Sequence, residues 1–127
     1  MNVLSLFSFH SQQPIEQIGV VWVNFLPNID NLRGLILHYF AELKAGSNGE
    51  YQCPQCQDFR NVMTTMDLIE PPKVLVVALR RLTNVSGNWK KISRCIKIGG
   101  TVTLKAKDGT RFTYELVSAV KHVGVYF

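Results

Sequence analysis

The spacing of apolar positions changes along the chain. Residues 3–9 and 18–26 are dense in apolar and β-branched side chains and predict strands, with Pro14 and Pro27 interrupting them. From Leu32 the period lengthens. Leu32, Leu35, Ile36, Tyr39, Phe40 and Leu43 recur at helical spacing and predict one core-packing helix over 32–43. Asp30 or Asn31 can cap its start, and Gly46 stands where a helix-ending glycine belongs.

Ser47-Asn48-Gly49 then predicts a turn. Strands are expected over 50–53 and 59–69, joined at a knuckle that holds Cys53 and Cys56. Pro71-Pro72 leads into 73–82, an almost unbroken apolar run. Such a run suits a strand buried on both faces, so it is expected in the centre of a sheet. Residues 83–89 read as a polar loop. Strands are expected over 92–98 and 101–105, and Asp108-Gly109 predicts a two-residue hairpin between 101–107 and 111–120. The expected class is α+β: a mainly antiparallel β-sheet with one main helix. No repeat or linker divides the chain, so 1–127 reads as one unit.

Composition narrows the possibilities. With 46% apolar and 18% charged residues, the 127-residue chain is not disordered overall. No apolar run approaches the roughly 18 residues a membrane helix needs, so no membrane association is expected. Three cysteines do not make a disulfide framework. The apolar start has no basic segment and no small-residue cleavage site, so a signal peptide is not expected. A cytoplasmic or nuclear location follows. Residues 1–70 hold three basic residues against seven acids, a net of −4; residues 71–127 hold eleven against two, a net of +9. A basic β-domain that binds nucleic acid is therefore the alternative reading. The basic residues are spread over about fifty positions with few exposed-looking aromatics between them, and nucleic acid is not the partner expected.

Cys53-Pro54-Gln55-Cys56 has the spacing of half a zinc ribbon. Two thiolates are half of a closed four-ligand site. Cys95 reads as a small buried hydrophobe, and His10 is the plausible third ligand. At most a degenerate zinc site is expected, and no other cofactor. No catalytic residue is assigned. Neither thiol of the knuckle has a base near it in sequence, and no Ser/His/Asp, paired-carboxylate or phosphate-loop pattern is present.

The order of the motifs is more specific than any one of them. Tyr51-x-Cys53-x-x-Cys56 is followed by the string from Pro71-Pro72-Lys73 to Leu79-Arg80-Arg81-Leu82. Lys91-Ile92 comes next, then Val102-x-Leu104, then Tyr114-x-Leu116-x-x-Ala119-Val120-x-His122-x-Gly124. This string resembles the fingers and part of the palm of the ubiquitin-specific proteases, papain-like cysteine deubiquitinases. The resemblance is firm over 50–124 and fair over 30–49. It implies a hand-like fold and a family reaction, thiol-dependent hydrolysis of the isopeptide bond to ubiquitin. It also implies ubiquitin or ubiquitinated proteins as partners.

The chain departs from the family pattern. The thumb with its cysteine box and the first CxxC have no counterpart. Leu82 stands where an aromatic residue is usual, and the sequence reaches Phe127 before the element that would carry the catalytic histidine. His122 matches a strand residue, not that histidine. The expectation is a fragment or non-catalytic relative that at most binds ubiquitin, with apolar faces open to self-association.

Overall fold

In the computed structural model, which describes residues 2–5, 11–12, 17–52 and 54–124, strands β1 (Asn2–Ser5), β2 (Ser11–Gln12) and β3 (Val21–Val23) precede helix α1 (Leu32–Ala45). Strands β4 (Ser47–Gln52), β5 (Phe59–Thr65), β6 (Val77–Leu79), β7 (Leu82–Val85), β8 (Asn88–Lys91), β9 (Thr101–Lys105) and β10 (Arg111–Glu115) follow. One helix with several antiparallel strand pairs makes the fold α+β. The helix begins where its cap chemistry puts it. Asn31 is extended, and its side-chain oxygen accepts the Gly34 N–H at 2.7 Å. It ends at Gly46, whose N–H still donates to the Glu42 carbonyl while its φ of 82° turns the following chain out of the helix.

That left-handed glycine also corrects the expected turn at 47–49. The reversal is complete at Gly46, so Ser47-Asn48-Gly49 goes directly into β4. The β4–β5 ladder then runs for six rungs, from Ser47↔Thr64 to Gln52↔Phe59. β1 pairs on the other side of β5, and β2 on β1, giving an antiparallel sheet of order β2-β1-β5-β4. Part of the strand expected over 3–9 lies outside the described residues.

The long apolar run at 73–82 does not become a central strand. Within it only β6 forms, paired in parallel with β3 from Val21↔Val77 to Val23↔Leu79. The pair has no third strand among the described residues, and Val74 is 69% exposed. Periodicity cannot distinguish an apolar run buried on both faces from one whose second face lacks a cover. The strand expected over 18–26 likewise contracts to β3.

Residues 83–89 form a hairpin rather than a loop. Ser86 and Gly87 both take positive φ, 53° and 84°, as a two-residue turn of the primed type requires. The Ser-Gly dipeptide was the available signal. Residues 92–96 are not a strand. Their backbone is tied by the Arg81 side chain, which bonds the Ile92 and Arg94 carbonyls, and Lys97 makes a single bridge to Asn31. The Asp108-Gly109 hairpin forms with a longer turn than expected. The Ala106 carbonyl accepts the Gly109 N–H, the Ala106 N–H donates to Thr110, and Gly109 has φ 92°. These are the marks of a three-residue turn ending in a bulge. β10 stops at Glu115, short of the expected 120.

The helix organises the core by facing two ways. Leu35 packs with Val21 and Val23 of β3, and the adjacent Ile36 packs with Val102 and Leu104 of β9. Phe40, Leu75 and Val77 touch both groups. Outside this body much apolar surface is open.

Candidate functional site

The end of the β4–β5 ladder presents the knuckle. Residues 54–56 form a turn, Gln57 takes φ 59°, and the Gln52 side-chain amide donates to the Gln57 carbonyl at 3.2 Å. Cys56 is exposed on this turn. Cys53 and His10 lie outside the described residues. Among the described residues no three His, Cys, Asp or Glu side chains converge, so they do not compose a closed four-ligand zinc site. Tyr51 and Phe59 are exposed near the same tip.

Cys95 is not the buried hydrophobe expected from sequence. It is exposed, because its segment runs over the surface rather than within a sheet. The two described histidines have other occupations. His38 lies 3.5 Å from Glu42, one turn along α1. His122 belongs to a clasp: the Lys91 ammonium donates to the Gly124 carbonyl at 2.6 Å and the His122 carbonyl at 3.3 Å, and stands 3.0 Å from His122 Nδ1. An ammonium has no lone pair to accept with, so Nδ1 must be the acceptor there. The motif residues Lys91, His122 and Gly124 are thus brought together structurally, across 31 residues or more.

Two arginines that the sequence left unassigned sew the loops together. Arg94 donates to the carbonyls of Leu26 at 2.5 Å and Ile29 at 2.6 Å. Arg81 donates to those of Ile92 and Arg94, and lies over the Phe25 ring at 4.9 Å. A planar fork of donors suits such paired carbonyls. Tyr114, also within the motif string, donates to the Pro72 carbonyl at 2.6 Å, and burial pushes its pKa up. Among exposed aromatics the sequence missed Trp89, which stands out from β8 beside Lys90.

An open cleft of about 1150 Å³ lies between the C-terminal half of α1, residues 66–72 and the end of β9. Leu37, Phe40, Leu68 and Leu104 give it apolar walls, with Lys44 and Lys107 among its charged residues. Among the described residues no cysteine or histidine lines it.

No protein-family model matches the chain. Two curated proteins of Arabidopsis thaliana are similar to it. Ubiquitin carboxyl-terminal hydrolase 25 is 25% identical over 91 residues, which is 68% of this chain and 14% of that protein. Putative ubiquitin carboxyl-terminal hydrolase 11 is 28% identical over 91 residues, covering 68% of this chain and 10% of that protein. The chain thus spans a small part of the length of these relatives. It bears a weak, partial homology to ubiquitin carboxyl-terminal hydrolases.

Proposed function

We propose that residues 1–127 form a partial ubiquitin-specific protease domain, fingers and part of a palm, that binds ubiquitin or ubiquitinated proteins and does not itself hydrolyse the isopeptide bond. The ordered string of motifs from Tyr51 to Gly124 carries this reading. The weak homology to two proteins named as ubiquitin carboxyl-terminal hydrolases supports it. So does the joining of the Lys91 and His122 motifs in one clasp. Hydrolysis needs an activated thiolate and a base within hydrogen-bond reach, and the motif string matches His122 to a strand residue rather than to such a base.

Two expectations accompany the reading. Cys53 and Cys56 hold zinc substoichiometrically, as half a site, and the protein resides in the cytosol or nucleus. The deciding experiment titrates isotope-labelled ubiquitin with the full chain and reads its amide shifts. Shifts confined to one ubiquitin surface are expected; an unchanged spectrum at high micromolar protein rejects the reading. In parallel, a ubiquitin probe carrying a C-terminal thiol-reactive vinyl group should leave the protein unlabelled. An adduct on Cys53, Cys56 or Cys95 would overturn the expectation of an inert chain. Metal analysis that returned one zinc per chain, lost in His10→Ala, would assign His10 as a ligand.

A further inference from the structure

Two places in the chain set a pair of cations three and two residues before a hydroxyl: Arg80-Arg81-Leu82-Thr83 and Lys90-Lys91-Ile92-Ser93. Sequence alone does not rank them, but the fold does. Thr83 lies inside β7, paired with Lys90. Both cations before it are engaged. The Arg80 guanidinium lies over the Trp22 ring at 5.3 Å, and Arg81 donates to the Ile92 and Arg94 carbonyls. Ser93 lies past the end of β8, outside any described strand, and is exposed. Among the described residues its hydroxyl has no hydrogen-bond partner, and the exposed Lys90 ammonium has none either. Lys91 is held by the His122 and Gly124 carbonyls.

We propose that Ser93 is a phosphorylation site for a serine kinase that reads cations ahead of its acceptor, and that the phosphate draws the Lys91 ammonium off the His122 and Gly124 carbonyls. The inference goes beyond the ubiquitin-binding reading and does not depend on it. Kinases discriminate substrates by charge pattern. Of the two sites, Ser93 alone presents an unbonded hydroxyl together with an unengaged upstream cation. An acceptor must also leave its neighbours to enter a kinase cleft. For Thr83 that breaks the β7–β8 ladder, whereas Ser93 is already outside it. The co-substrate is a nucleoside triphosphate. A bond forms between Ser93 Oγ and the γ-phosphorus, and the bond from that phosphorus to the β,γ-bridging oxygen breaks. The hydroxyl proton passes to a carboxylate of the kinase, and nucleoside diphosphate leaves. The product carries about two negative charges, two residues from Lys91. An ammonium bonds an ionised phosphate more strongly than a neutral carbonyl, and the two carbonyls it would leave are exposed and can turn to water. Residues 121–124 belong to no described strand or helix, and their described hydrogen bonds are those from Lys91. Losing the clasp therefore loosens that segment.

The test treats the full chain with magnesium ATP and the catalytic subunit of a cyclic-nucleotide-dependent kinase, a probe that prefers paired cations ahead of its acceptor. Mass spectrometry maps the phosphate. Thr83→Ser first equalises the two acceptors. In that folded chain Ser93 should be labelled about tenfold faster than position 83, whereas synthetic peptides over 78–87 and 88–97, each with its serine, should be labelled alike. Lys90→Ala should slow the labelling of Ser93. In the isotope-labelled, phosphorylated chain the backbone order parameters over 121–124 should fall and the His122 imidazole signals should move. Lys91→Ala should reproduce both changes without phosphate. Equal or faster labelling at position 83 in the folded chain, or labelling of the 88–97 peptide but not of Ser93 in the folded chain, would overturn the proposal. So would unchanged order over 121–124 after phosphorylation. Loss of order over 26–29 instead would show that Arg94 had captured the phosphate, and would overturn the role given to Lys91.

Discussion

Helix α1 and strand β4 follow one another directly, yet they are held by different forces. The helix sends Leu35 and Ile36 into two apolar groups and leaves Leu35 only 1% exposed. All six residues of β4 are exposed, and their ladder with β5 is secured by backbone pairing, with Val62 the buried side chain of the ladder. Burial supplies most of the free energy of folding, whereas an exposed ladder exchanges water for backbone partners at small net gain. The region that carries stability is therefore not the region that presents the knuckle. Substitution should separate them. Leu35→Ala should cost about 2–5 kcal/mol in urea unfolding, and Glu50→Ala in β4 less than about 0.5 kcal/mol. Similar losses at the two sites would dissolve the contrast.

Gly46 joins the two regions, and its replacement tests whether they depend on one another. A Cβ there would lie 2.6 Å from Thr65 Cγ2 and 2.7 Å from the Thr64 carbonyl oxygen, at φ 82°. The oxygen belongs to the paired backbone of β5 and cannot rotate away. Gly46→Ala should cost about 3 kcal/mol. Hydrogen exchange should show faster opening of β4 and β5 before that of α1. Uniform acceleration would show a single cooperative unit instead.

The same comparison explains what the sequence could and could not disclose. The helix, both of its caps and the place of the Asp108 hairpin, though not its turn length, were legible, because each rests on local chemistry: period, an Asn side chain, a glycine at positive φ. The motif string was legible as an order of residues. The fate of 73–82 was not, because strand length depends on whether a neighbouring strand is present. The hairpin at Ser86-Gly87 was missed through its weaker dipeptide signal. The exposure of Cys95 followed from losing the strand expected over 92–98. Arg81 and Arg94 were opaque for another reason. Their acceptors are carbonyls, which every residue supplies, and those of Arg94 lie 65 and 68 positions away.

Those arginines give the next prediction. Arg94→Ala leaves the Leu26 and Ile29 carbonyls without their donor and should cost about 2 kcal/mol. Arg94→Lys should recover little, since a single ammonium lacks the two-pronged geometry. Full recovery by lysine, measured by urea unfolding, would show that charge alone matters at this seam.

The smallest effect expected is that of pH, and it separates two kinds of surface contact. Hydrogen bonding from Asn31, with Lys97 beside it, holds the Asp30 carboxyl below its usual range. The Thr110 N–H does the same for Asp108. For each, the folded pKa lies below the unfolded one. The stabilisation is therefore present above the ordinary carboxyl pKa, 3.8, and is lost as pH falls through the lower folded value. Unfolding followed from about pH 5 down to pH 2 should show an acid limb that Asp30→Asn and Asp108→Asn each shorten. Salt distinguishes the two. The exposed Asp30–Lys97 ion pair is screened, whereas the bond from Thr110 to Asp108 is a short contact with a backbone N–H. Raising salt to about 1 M should shrink the Asp30 contribution more than that of Asp108. Equal loss at both would show that long-range charge, rather than the turn's own hydrogen bond, sets the behaviour of Asp108.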